Sequence, residues 1–202
     1  MDTGTLVWLV VLLALGGLFA LTLRRMSVLV GRTHDLEHYQ KLAGVLDGRL
    51  ALAADPFIAQ LDEIRRHSGN AEALAGVTPQ TQDELRAIAA EGRSARVPKG
   101  LEAEAAAFVV ELERAVRAVE LVGHGLDALL ADRGGRDLEA QTSLKRGALN
   151  LRHAREAATR TSGAIQALRP GDLLERVRGT APLPATRSAA TYHVDSEFDD
   201  RR

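Results

Sequence analysis

Three features of this 202-residue sequence predict an all-α protein. A run without charge lies near its start, apolar residues recur every three or four positions through its centre, and the residues from 179 onward show no period. Read in order, they predict a single N-terminal transmembrane helix, an antiparallel three- or four-helix bundle with a coiled-coil-like hairpin at 99–169, and a disordered C-terminal tail. The expected segments are an outer N-terminus at 1–4, an anchor at 5–23, a basic juxtamembrane link at 24–32, the bundle at 33–178 and the tail at 179–202.

The anchor rests on TLVWLVVLLALGGLFALTL, Thr5 to Leu23, which carries no charge. At 1.5 Å per residue it spans about 28 Å, close to the ~30 Å hydrocarbon thickness of a bilayer. Trp8 near one end and Arg24–Arg25 at the other suit the two interfaces. A cleaved leader would need basic residues before the apolar run, whereas here only Asp2 precedes it and the basic residues follow. Arg24, Arg25, Arg32 and Lys41 therefore predict a cytoplasmic bulk at the plasma (inner) membrane, with the N-terminus outside. Gly16 and Ala20 make a small-xxx-small pair through which two spans could approach as a homodimer.

After Gly31 the spacing is helical. Leu36, Tyr39, Ala43, Leu46, Leu50, Ala53, Phe57, Leu61 and Ile64 form one stripe on a helix at about 33–67. Pro56 interrupts its hydrogen bonding but not its phase, which predicts a kink, or a restart capped by Asp55. Ser68-Gly69-Asn70 ends the segment. Thr78–Pro79 reads as the start of a shorter helix carrying Leu85 and Ile88 and ending near Gly92, followed by an extended stretch up to Pro98.

Two further segments match each other. Leu101, Ala105, Phe108, Leu112, Ala115, Val119, Val122, Leu126 and Leu129 alternate steps of four and three; so do Leu144, Gly147, Leu151, Ala154, Ala158, Thr161, Ile165 and Leu168. The glycine-containing link 132–137 suits an antiparallel hairpin. In that arrangement facing residue numbers keep a nearly constant sum: Leu126 with Leu144 and Val119 with Leu151 add to 270, and the intervening pairs Val122 with Gly147 and Phe108 with Thr161 add to 269. Leu129 is left beyond the reach of the fourth stripe. The acidic third helix beside the basic fourth is expected to reinforce the pairing, at about 0–1 kcal/mol per exposed ion pair. Pro170–Gly171 ends the fourth helix, with one or two turns to follow before 178.

Chemistry is sparse. The absence of cysteine removes disulfides, thiolate metal sites and a cysteine nucleophile. An aromatic content of 3% leaves no platform for stacking bases, so no nucleic-acid partner is expected. There is no phosphate-binding glycine loop and no G-x-S-x-G, so the chain is read as a non-enzyme without cofactor. His34, Glu37 and His38 match the letters H-x-x-E-H of one class of zinc peptidases and share a helix face; they are the candidate metal ligands, without a third acidic ligand fixed by spacing. His124, between Gly123 and Gly125, resembles the phosphorylatable histidine of phosphotransfer bundles, but Asp127–Ala128 stand where those bundles carry Lys-Gly. In the tail, Tyr192, Val194 and Phe198 lie among Asp195, Glu197, Asp199 and Asp200, an acidic amphipathic cluster of the kind that folds onto a groove.

The function expected from these features is structural. A bundle tethered to the bilayer serves as a scaffold or docking module for a protein partner or a second copy. A ligand-responsive sensory bundle is the alternative, and a zinc-dependent hydrolase through His34, Glu37 and His38 the third reading.

Overall fold

The computed structural model describes residues 3–66, 69–131, 137–177 and 179, and within them all side chains except those of 3–14, 18, 20–32, 137 and 174. Every element is helical: α1 (Thr3–Arg65), α2 (Ala71–Ser94), α3 (Glu102–Leu130), α4 (Asp137–Ala167) and α5 (Pro170–Val177). Around the bundle, α1 packs on α2, α2 on α3, α3 on α4 and α4 back on α1. Each neighbour runs antiparallel to the next, because high-numbered residues of one meet low-numbered residues of the other. Thus Ser162 donates to the Ala43 carbonyl at 3.4 Å, Arg86 meets Glu120 at 2.9 Å, and Arg49 meets Glu84 at 2.7 Å. The result is a four-helix bundle rather than a three-helix one.

The α3–α4 seam has the predicted register. A Cβ placed on Gly147 would lie 2.5 Å from Val122 Cγ2 and 2.9 Å from the Ala118 carbonyl oxygen. Only a glycine lets the two backbones come this close. One turn on, a Cβ on Gly125 would meet Leu144 Cγ at 3.1 Å. Leu112, Val119, Val122, Leu126, Leu151, Ala154, Ala158 and Ile165 are all buried, so both stripes face the core as the spacing requires. Thr161 is half-buried, and its neighbour Ser162 takes the buried place.

α1 departs from expectation. The stretch 24–32, read as a link, is helical backbone continuous with what precedes and follows it. The helix also passes Pro56 without interruption. Pro56 lies on the exposed side, where water can satisfy the Leu52 carbonyl that lost its i+4 donor. Across this point Ala54 is buried and Ala53 only partly so, a one-residue shift from the predicted stripe.

α2 begins earlier than Thr78–Pro79. Asn70, at φ −96° and ψ 109°, is the cap: its side-chain oxygen accepts from the Glu72 amide at 2.9 Å and the Ala73 amide at 3.2 Å. Thr78 instead sits buried inside the helix with its hydroxyl donating to the Leu74 carbonyl at 2.7 Å. This adds Leu74 and Thr78 to a face completed by Leu85, Ile88, Ala89 and Gly92.

One end of the bundle is closed. Gln40 Nε2 donates to the carbonyls of Ile165 (3.0 Å) and Leu168 (2.9 Å), covering acceptors that the end of α4 leaves open. α5 folds beside it. Gly100, at φ +88°, gives the chain a left-handed turn and leaves room for Val177 Cγ2, which would stand 3.2 Å from a Cβ there. Leu173 is buried against this turn, and Arg176 pairs with Glu104 at 2.5 Å.

Among the described side chains of α1, Leu36 is the first that is buried, while Leu15 is 60% and Phe19 66% exposed. Most side chains of the 5–23 run lie outside the described residues. Among the described residues, no helix is long and apolar enough to cross a membrane.

Candidate functional site

The H-x-x-E-H residues lie on α1 just before burial sets in. His34, Glu37 and His38 are all exposed, while Leu36 and Tyr39 between and beside them point into the core. The helix thus presents the three as one polar face, as the spacing implied. No acid from another element joins them: among the described residues, no group of three His, Asp or Glu side chains is placed to hold a metal ion. His124 is likewise exposed on α3, and a Cβ on the adjacent Gly123 would find only Thr78 Cγ2, at 3.5 Å. Tyr192, Val194 and Phe198 lie outside the described residues.

The charges are arranged differently from the hairpin expectation. None of the ion pairs among the described residues joins α3 to α4. The basic residues of α4 reach α1 instead: Arg152 meets Asp62 at 2.7 Å, and Arg155 meets Asp47 at 2.9 Å and Asp55 at 3.5 Å. The acids of α3 turn to α2 and α5, with Glu113 on Arg93, Glu120 on Arg86 and Glu104 on Arg176. The cause is the closeness of the α3–α4 seam. Small residues fill its centre, and the long charged side chains are left on the flanks that face the other two neighbours. Of these pairs, Arg176 with Glu104 and Arg155 with Asp47 are the best shielded, each side chain about one-fifth exposed or less. Arg93 holds the Glu113 carboxyl below its ordinary pKa, with Arg117 adding a smaller share.

Among the described residues, one cavity lies at the opposite end from α5. There Ile64, Arg65, Leu129, Gln141, Leu144 and Lys145 line a cavity of about 260 Å³ between the end of α1, the end of α3 and the start of α4. Its origin lies in the seam. Continuing the register past Val122–Gly147 and Gly125–Leu144 places small Ala140 and polar Gln141 opposite Leu129. No apolar knob fills the space, and Leu129 stays half-buried. The sequence held this signal in the one seam residue that found no partner. The lining carries two cations and no carboxylate. Arg65 lies 3.5 Å from Asp62, whose other oxygen is held by Arg152, and Lys145 makes no ion pair among the described residues. Leu130 and Leu138, 42% and 78% exposed, stand at the same end of the bundle.

Two wider surfaces are less defined. Arg49, Leu52, Ala53, Gly76, Pro79 and Asp83 border an open groove between α1 and α2, and Arg86, Arg93, Glu113 and Glu120 border another between α2 and α3. Both are crossed by the ion pairs described above. Comparison with protein-family models, with curated proteins and with solved structures finds no match to the chain.

Proposed function

We propose that the chain is a membrane-tethered helical bundle that works as a docking or scaffold module at the cytoplasmic face of the membrane. One observation carries this reading: the apolar run and the first bundle helix belong to a single uninterrupted α1, whose described apolar side chains Leu15 and Phe19 are exposed ahead of Leu36. Exposing such residues to water costs about 25 cal/mol per Å² of apolar surface; lipid removes that cost. The basic residues after the run favour the cytoplasmic side for the bundle. Gly16, exposed with nothing within 4 Å of a Cβ, supports close approach of a second copy in the bilayer. A shaped cavity lined by cations but no carboxylate supports binding rather than acid–base catalysis, which needs a titratable pair within reach of one reacting atom.

Because the chain has no cysteine, single cysteines report position without background. In intact cells an impermeant maleimide should label Thr3→Cys and spare Gln80→Cys until the membrane is opened. In-cell crosslinking should then capture membrane-associated proteins that are lost when residues 5–23 are deleted. Labelling of Gln80→Cys in intact cells, or crosslinks indifferent to the deletion, would overturn the proposal.

A further inference from the structure

The cavity at the end of the bundle away from α5 and the acidic cluster of the tail have complementary chemistry. The cavity offers the apolar walls Ile64, Leu129 and Leu144 with Arg65 and Lys145 at its edge. The sequence 192–200 offers Tyr192, Val194 and Phe198 among Asp195, Glu197, Asp199 and Asp200. Each supplies what the other is short of: an apolar knob opposite Leu129, a carboxylate for Lys145, and a second one for Arg65 beside its 3.5 Å contact with Asp62.

The covalent path permits the two to meet. The chain leaves α5 beside Gly100, at the closed end. From there to Leu129 is the length of α3, about 42 Å for the residues between 101 and 129. The nineteen residue-to-residue steps from Gly179 to Phe198 can extend to about 63 Å, so Phe198 reaches the far end with slack. A random-coil chain of this length has a root-mean-square span of about 24 Å. Reaching the cavity therefore stretches it, leaving an effective concentration on the order of a millimolar or below. A contact of ordinary peptide affinity is then occupied within the same molecule.

We propose that residues 192–200 dock in this cavity in cis, with the Phe198 ring against Leu129 and Leu144 and the adjacent carboxylates on Arg65 and Lys145. The tail is thereby held away from other proteins until something displaces it. This goes beyond the docking role argued above and stands on the bundle alone, with or without the anchor.

The test uses the full chain, purified in detergent, carrying p-benzoylphenylalanine at position 198. Equal amounts of isotopically light and heavy protein are mixed before illumination, and crosslinked peptides are mapped by mass spectrometry. Crosslinks should fall on 61–65, 129–130 and 138–145 and join light to light and heavy to heavy. Arg65→Glu with Lys145→Glu should lower their yield severalfold, and adding Asp199→Arg with Asp200→Arg should restore it. That rescue, with an unchanged melting temperature, separates lost contact from lost folding. Crosslinks scattered along the bundle, crosslinks joining light to heavy chains, or a yield indifferent to charge reversal would each overturn the proposal.

Discussion

Replacing Gly147 by alanine tests the α3–α4 seam with a single methyl group. The added Cβ would arrive 2.5 Å from Val122 Cγ2, 2.9 Å from the Ala118 carbonyl oxygen and 3.2 Å from the Val122 amide nitrogen. Two of these three atoms are backbone, so the helices must separate; a rotamer change alone does not make the space. Overpacking of this kind costs about 1–3 kcal/mol, against a helix-propensity gain of about 1 kcal/mol for removing a glycine. Gly163 supplies the control. It lies on the same helix with nothing within 4 Å of a Cβ, so Gly163→Ala keeps the propensity gain without the clash. The gain is common to both variants, and the difference between them isolates the seam at about 1–3 kcal/mol. For a chain of this size that is roughly 2–4 °C of melting temperature per kcal/mol, read by circular dichroism in detergent. Gly163→Ala should melt above the parent and Gly147→Ala clearly below Gly163→Ala. Equal melting temperatures for the two variants would refute the register.

Three other perturbations have defined outcomes. Arg155→Ala leaves the partly shielded Asp47 carboxylate with the Thr159 hydroxyl but no cation; a loss of about 1–2 kcal/mol is expected, against no more than about 1 kcal/mol for the exposed Arg86→Ala, and equal losses would argue against shielding of the Arg155–Asp47 pair. Asn70→Ala removes an oxygen that two amides share and should cost about 1 kcal/mol by thermal melting, whereas Thr78→Asn should destabilise by placing a larger amide in the core; the reverse order would restore the helix start at Thr78. Burial raises the Tyr39 pKa above its ordinary 10.0, which favours the neutral phenol in the folded state. The stability this contributes is complete below pH 10 and is lost as pH rises through the higher folded value. In a Tyr192→Phe chain the phenolate absorbance should therefore rise at higher pH in the folded protein than in the same chain unfolded in urea, and coincident titrations would contradict it.

The hairpin was legible because a single seam wrote the same alternation of threes and fours into both helices, with glycine and alanine where the partner is bulky. Val122 against Gly147 is the clearest instance. The start of α2 was misplaced because Thr78–Pro79 has the letters of a helix start. A threonine that donates back to the Leu74 carbonyl and a proline on an exposed face are equally compatible with a helix interior. The ion pairs were misassigned for a different reason: the sequence shows which charges a helix carries, but not which of its two flanks meets an oppositely charged neighbour. The continuity of α1 through 24–32 was hidden because Arg24, Arg25 and Gly31 break the apolar pattern without breaking the helix. Of the candidate site, the exposed His34, Glu37 and His38 face was readable from spacing alone. The cavity required the hairpin register to be carried one step past its last matched pair.

The central claim is that one continuous helix joins the apolar run to the bundle. Spin labels at Ser27→Cys and Val45→Cys flank Gly31, and along a continuous helix their backbones are about 27 Å apart. Double electron–electron resonance on the full chain in bilayer nanodiscs should give one narrow distance distribution near that value. A broad distribution, or one centred well short of it, would show a jointed link at 24–32 and contradict the account.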